Sequence, residues 1–183
     1  MSNIFIIHGV GGDPQENWFP WLKAELEKEG NNVFIPHFPT QESGMLEAWW
    51  KVFNEYKDQI DENTIFIGHS LGAPFILNVL EKYPAKAAYL VAGFVGPQDN
   101  QFYKYTKEIA DRDFDWNKIN DNCSNFYIFQ SDNDPYIPME KAEELKEKLD
   151  TEYILIKNAG HFNEKAGHKE FPELCTHIKS QKA

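Results

Sequence analysis

The sequence predicts an α/β fold, a three-layer α/β/α sandwich with an open, mostly parallel, six-stranded, doubly wound sheet. Six short runs are rich in β-branched and aromatic residues and are mostly apolar on both faces, as in a sheet covered on both sides. The segments between them are long enough for right-handed helical crossovers. Polar residues that could take part in catalysis or binding directly follow several of these runs, at the sheet edge where such folds bind ligands.

The elements alternate along the chain. The predicted strands span residues 3–8, 32–37, 64–69, 87–94, 125–131 and 152–158, and the predicted helices span residues 16–29, 45–60, 73–83, 139–149 and 169–179. Gly30 ends the first helix, and Pro84 stops the third. The connection 96–124 is the least regular segment, and we expect it to contain a helix and part of a pocket rim.

Length and charge limit the classes of protein. With 183 residues and 42 % hydrophobic content, the chain is long enough for one buried core, and we expect a single domain over residues 1–183. The formal charge of −11 repels phosphate backbones and anionic headgroups, so we expect neither nucleic acid nor a membrane as partner. No signal-peptide core or run of about 20 apolar residues is present, which favours a cytoplasmic location. The oligomeric state stays open.

The pentapeptide Gly68-His69-Ser70-Leu71-Gly72 carries the main functional signal. It follows the apolar run Thr64-Ile65-Phe66-Ile67 and precedes a predicted helix. A serine on a tight turn from strand to helix is held in a strained conformation that exposes its hydroxyl above the sheet, and the flanking glycines let the backbones pass closely. We therefore interpret Ser70 as a nucleophile.

A serine nucleophile needs a base and an orienting carboxylate, and both follow later strands. Asp132 and Asp134 lie in the turn after the fifth predicted strand, and His161 lies in the turn after the sixth. The chain order Ser, Asp, His is typical of α/β-hydrolases. We favour Asp134 over Asp132 because the Pro135-Tyr136-Ile137-Pro138 stretch directly after it should make the turn rigid. The other histidines are interpreted as structural or solvent-exposed, namely His8, His37, His69, His168 and His177.

A glycine-rich turn, His8-Gly9-Val10-Gly11-Gly12, follows the first predicted strand. It lacks the Lys-Ser or Lys-Thr pair and the glycine spacing of nucleotide sites. We expect the backbone N–H groups of Val10 and Leu71 to form an oxyanion hole instead. The sequence also lacks the ligand spacing of metal sites, so we expect no metal.

The chain resembles the α/β-hydrolase superfamily and, more narrowly, the small serine hydrolases typified by retinoblastoma-binding protein 9 and YdeN. The motifs that carry this likeness are His8-Gly9, Gly68-His69-Ser70-Leu71-Gly72, Asp134-Pro135-Tyr136-Ile137-Pro138 and Gly160-His161-Phe162. The resemblance implies a compact hydrolase fold with little or no cap, no cofactor, and a triad of Ser70, Asp134 and His161. The Leu-x-Cys-x-Glu element associated with retinoblastoma binding is absent, so that binding is not carried over.

These observations favour a serine hydrolase that cleaves small carboxylic esters, thioesters or amides through an acyl-enzyme on Ser70. The expected partner is therefore a small-molecule acyl substrate. Two alternatives remain open at this point. One is a binding module that keeps the fold without turnover, and the other is an acyltransferase that uses the same triad.

Overall fold

A six-stranded sheet organises the chain, in the order β2-β1-β3-β4-β5-β6, and every neighbouring pair is parallel. The structure is a computed structural model that describes residues 1–181. The strands are β1 (Asn3–Ile7), β2 (Asn32–Phe34), β3 (Ile65–His69), β4 (Ala87–Val91), β5 (Phe126–Ser131) and β6 (Tyr153–Ile156). The chain first adds β2 on one side of β1 and then adds β3 on the other side, so the strand order reverses between β1 and β3. Ligands of such folds bind at the carboxyl ends of the strands beside this reversal. The carboxyl ends of β1 and β3 lie there, with that of β4 next to β3.

Helices cover both faces of the sheet. They are α1 (Phe19–Glu27), α2 (Met45–Phe53), α3 (Gly72–Leu80), α4 (Tyr103–Ala110), α5 (Trp116–Asn122), α6 (Met139–Leu149) and α7 (Pro172–Ser180). Alternate residues of β1 divide between two cores, as the two-residue period of a strand requires. Phe5 and Ile7 pack with α2 to α6, whereas Ile4 and Ile6 pack with α1 and α7. The predicted three-layer α/β/α arrangement is confirmed.

Several elements differ from the prediction at their ends. The edge strand β2 pairs with β1 over only three residues, and β4 stops at Val91 because Ala92 has a left-handed φ of 48°. The predicted helix 45–60 becomes a 3-10 helix from Asn54 to Gln59. The irregular connection 96–124 contains two helices, α4 and α5, where one was expected. Within residues 1–181, no helix has the length and apolar character that crossing a bilayer requires.

Candidate active site

Ser70 lies in a strained turn between β3 and α3. Its φ of 54° is in the left-handed region, which is costly for a residue with a side chain and is typical of nucleophile turns. The Ser70 N–H donates to the Val91 carbonyl at 2.9 Å, which ties the turn to β4. A Cβ at Gly72 would lie 2.1 Å from the Ile7 carbonyl oxygen, and one at Gly68 would lie 2.6 Å from the Ala73 nitrogen. Both glycines are therefore required by close backbone approach.

Asp134 holds the imidazole of His161. His161 Nδ1 donates to Asp134 Oδ2 at 2.8 Å, while Asp134 Oδ1 accepts the N–H groups of Tyr136 and Ile137 at 2.9 and 3.1 Å. The Asp134 side chain is 0 % exposed and that of His161 is 11 % exposed. The Tyr136 ring stands nearly perpendicular to the imidazole, with the centroids 5.0 Å apart. One carboxylate oxygen thus orients the ring while the other is fixed by backbone.

The side chains of the three residues directly before Asp134 accept hydrogen bonds from the backbone directly before His161. Asp132 Oδ1 accepts the N–H of residue 158 at 2.7 Å, Ser131 Oγ accepts that of residue 159 at 3.0 Å, and Asn133 Oδ1 accepts that of residue 160 at 2.7 Å. Residues 131–134 therefore contact residues 158–161 through four consecutive side chains. We call this set of contacts the 131–134 clip. In it Asp132 binds backbone, and Asp134 is the carboxylate that contacts the imidazole.

His69, directly before Ser70, contacts both the backbone and the ring of His161. His69 Nε2 donates to the His161 carbonyl at 2.8 Å, and the two imidazole centroids are 4.9 Å apart. Burial lowers the pKa of His69 to about 3 and the nearby His161 adds to this effect, so the ring is neutral. His69 therefore has the structural role expected from the sequence.

Ser70 and His161 face one cavity of about 460 Å³. Among the described residues, no hydrogen bond joins Ser70 Oγ to the His161 imidazole. Contacts of this kind are often long in structures without substrate and shorten when substrate binds. The structure therefore brings Asp134 and His161 into direct contact and places Ser70 in the same cavity.

The glycine-rich turn after β1 lies against the nucleophile. A Cβ at Gly9 would approach Ser70 Cβ to 3.0 Å. His8 supports the turn, because its Nδ1 donates to the Gly9 carbonyl at 2.8 Å and its Nε2 accepts the N–H of Phe38 at 2.9 Å. Burial lowers the pKa of His8, which keeps the ring neutral for this paired role.

The N–H groups of Val10 and Leu71 have no acceptor among residues 1–181. Leu71 is fully buried, and a buried N–H without a partner is rare in folded proteins. Leu71 also precedes the first turn of α3, where the helix dipole favours negative charge. Val10 lines the cavity and Leu71 directly follows Ser70, which also lines it, so both N–H groups belong to residues beside the candidate nucleophile.

About half of the residues that line the cavity were not identified from the sequence. They come from the loop after β4 and α4, from the segment before α1, and from the loop after His161. The signal for the first group was the irregular connection 96–124, which was expected to form a rim without naming residues. Among residues 1–181, no group of three or more His, Cys, Asp or Glu side chains is arranged to hold a metal ion.

Comparison with known proteins decides the family. The model of the serine hydrolase family matches residues 4–180 of this chain. The chain belongs to the serine hydrolase family. It is 29 % identical over 175 residues to the hydrolase YdeN of Bacillus subtilis, with 93 % of this chain and 91 % of that protein covered. It is also 29 % identical over 183 residues to the serine hydrolase RBBP9 of Rattus norvegicus, with 96 % and 92 % covered.

Solved structures agree with this assignment. The crystal structure of the ydeN gene product from B. subtilis superposes with a TM-score of 0.90 at 28 % identity, covering 98 % of both chains. Est1E from Butyrivibrio proteoclasticus superposes with a TM-score of 0.72 at 13 % identity, covering 99 % of this chain and 86 % of that one, and supports the fold alone. The resemblance inferred from the sequence motifs is therefore confirmed, and this serine hydrolase is an enzyme with an α/β-hydrolase fold.

Proposed function

We propose that this serine hydrolase cleaves small carboxylic esters, thioesters or amides through an acyl-enzyme on Ser70. One observation carries the proposal. The serine of a strained turn faces the same cavity as His161, whose Nδ1 is held by the buried carboxylate of Asp134 at 2.8 Å. This is the arrangement that activates a hydroxyl, because a base needs both the correct tautomer and support for the charge it acquires.

The first half-reaction acylates Ser70. The Ser70 oxygen attacks the substrate carbonyl carbon while His161 Nε2 takes the hydroxyl proton. The Asp134 carboxylate stabilises the imidazolium that forms. The carbonyl oxygen becomes negatively charged and is bound by the N–H groups of Val10 and Leu71, which lack protein acceptors. His161 then returns the proton to the leaving group as the bond to it breaks.

The second half-reaction releases the acyl group. His161 removes a proton from water as the water oxygen attacks the acyl carbon, and the same two N–H groups stabilise the oxyanion. Collapse of this intermediate breaks the bond to Ser70 Oγ, which regains its proton from His161. The acid product leaves and the enzyme is restored.

Labelling with a fluorophosphonate probe tests the proposal, because such probes react only with activated serines. We expect stoichiometric labelling that maps to Ser70, no labelling of Ser70→Ala, and normal labelling of Ser43→Ala, which alters an exposed serine. Ser70→Ala deletes one oxygen from a turn that the flanking glycines already permit, so its thermal unfolding should match the wild type. An unlabelled wild-type protein would instead indicate a binding module without catalysis.

A further inference from the structure

The cavity has two chemically different sides, separated by Ser70. Since β3 lies between β1 and β4, the loop after β1 lies on one side of Ser70 and the loop after β4 lies on the other. On the β1 side, Asn17 Oδ1 accepts the N–H of Glu164 at 2.8 Å and so joins the loop after His161 to this side. The charged residues that line the cavity are Glu16, Glu164 and Lys165, which all belong to the β1 side.

The β4 side has no charged side chain in its lining. Its wall is formed by Phe94, Gln98, Asn100, Phe102, Thr106, Tyr136 and Ile137. The loop after β4 and the turn after Asp134 are joined there, because Asn100 Nδ2 donates to the Tyr136 carbonyl at 3.4 Å and the rings of Phe102 and Tyr136 meet edge to face at 5.6 Å. A charged substrate group would lose its hydration on this side without gaining a counter-ion.

Gln98 is the unusual residue of the β4 side. Only 8 % of its surface is exposed although its side chain is polar. Its Nε2 donates to the neighbouring Pro97 carbonyl at 3.1 Å, which assigns the amide orientation because the opposite orientation would place two oxygens together. Within the described part of the chain, no donor reaches Gln98 Oε1. Among residues 1–181, the completely buried side-chain atoms without a hydrogen-bond partner are Gln130 Oε1 and His177 Nδ1. Gln98 Oε1 is not one of them, so this unpaired oxygen is accessible.

Thr106 adds a second acceptor to the same wall. It is 4 % exposed, and its hydroxyl donates to the Tyr103 carbonyl at a long 3.4 Å. No side-chain or backbone donor among residues 1–181 reaches its oxygen. Since neither oxygen is enclosed without a partner, both are acceptors that a ligand in the cavity can reach. In a wall that is otherwise made of aromatic and aliphatic side chains and Asn100, they suit a ligand that supplies a hydrogen-bond donor.

We propose that the β4 side of the cavity binds a secondary amide of the substrate, whose N–H donates to Gln98 Oε1. This inference rests on the proposed function, because it specifies the substrate class of the same site. An amide suits the wall because it is uncharged and its flanking carbons can pack against Phe94 and Phe102. Gln98 is then a specificity residue that selects an amide-containing group over an alkyl group of equal size.

The test compares esters that differ only in this amide. The p-nitrophenyl esters of N-acetylglycine and 4-methylpentanoic acid contain the same number of non-hydrogen atoms, as do those of N-acetyl-β-alanine and 5-methylhexanoic acid. In each pair, one ester has an N–H where the other has a methylene. The quantity measured is the ratio of kcat/KM between amide and alkyl ester, with the rate of Ser70→Ala subtracted to remove spontaneous hydrolysis.

The variant Gln98→Met preserves side-chain length and removes the acceptor. We expect it to lower the amide-to-alkyl ratio by about tenfold for at least one pair, which corresponds to one neutral hydrogen bond. Gln98→Ala should lower the ratio in the same way and serves if the methionine variant does not fold. Gln101→Met, which changes an exposed glutamine three positions away, should leave the ratio at the wild-type value.

A ratio that stays within about twofold of the wild type in both Gln98 variants for both pairs overturns the inference. This includes the case in which both esters slow equally, because such a loss reports general damage to the site. Failure of the proposed function looks different, since neither ester would then be hydrolysed by the wild type faster than by Ser70→Ala.

Discussion

Replacing Asp134 with asparagine tests the charge behind His161 with almost no change in shape. In the structure, Asp134 Oδ1 accepts two backbone N–H groups and Oδ2 accepts His161 Nδ1. An asparagine must keep its oxygen toward the two N–H groups, so its NH₂ faces His161. The imidazole must then accept at Nδ1 and carry its hydrogen on Nε2, which is the wrong tautomer to take a proton from Ser70.

The expected loss can be worked from the geometry. The Asp134 carboxylate is fully buried, with Oδ2 2.8 Å from Nδ1, so the centres of charge of the carboxylate and an imidazolium lie about 4 Å apart. At an effective dielectric constant of about 20, two such charges interact by about 4 kcal/mol. Removing that stabilisation from the transition state lowers kcat by about three powers of ten, and the tautomer change can extend the loss to about four.

The assay is steady-state hydrolysis of p-nitrophenyl acetate, with Asp132→Asn as the matched control. Asp132 lies two residues away in the same turn, and an asparagine there can still accept the N–H of residue 158 through its side-chain oxygen. We expect Asp132→Asn to keep kcat within about threefold of the wild type. Equal losses in the two variants, or a folded Asp134→Asn with kcat near the wild-type value, would refute the reasoning.

Three further predictions concern the support of the site. Gly72→Ala places a Cβ 2.1 Å from the Ile7 carbonyl oxygen and should lower the free energy of unfolding, measured in urea, by more than about 4 kcal/mol. The control is Gly30→Ala, whose Cβ would lie in open space at φ 79°. It should lower the free energy of unfolding by only about 1–2 kcal/mol. Asn133→Leu removes the acceptor for the N–H of residue 160 and should lower kcat about tenfold, whereas Asn133→Asp, which keeps an acceptor, should lower it less. Burial lowers the pKa of His69 to about 3, so on acidification the unfolded state binds a proton near pH 6.5 while the folded state stays unprotonated at this ring. The free energy of unfolding is therefore highest above about pH 6.5 and falls below it, by about 2 kcal/mol at about pH 5. Urea unfolding of His69→Gln should show a smaller decrease over the same pH range.

The sheet and its helices were predictable because their signals are local. Runs such as Ile65 to Ile67 are apolar on both faces, and the glycines around Ser70 indicate a close turn. The same reasoning placed Asp134 and His161 at one sheet edge, and the structure contains the hydrogen bond between them. Strand ends were less predictable, because β2 has a neighbour on one side only and its length depends on that pairing.

The support of His161 could not be predicted for a different reason. The contacts of the 131–134 clip join residues 26 to 28 positions apart, and no spacing rule shows which side chain meets which N–H. The choice of Asp134 over Asp132 relied on the rigidity of the following turn, whereas the structure separates the two by what each contacts. The burial of Gln98 could not be predicted either, because an isolated glutamine in an irregular connection belongs to no periodic pattern that indicates burial.

Trapping the acyl-enzyme tests the central claim most directly. The wild type is mixed with p-nitrophenyl acetate, quenched in acid within the first turnover, and examined as intact protein and as peptides by mass spectrometry. The account predicts one acetyl group per chain, located on Ser70 and absent from Ser70→Ala, together with a burst of p-nitrophenol of matching size if deacylation is the slower step. Ester turnover with the acetyl group on another residue, or turnover that persists in Ser70→Ala, would contradict it.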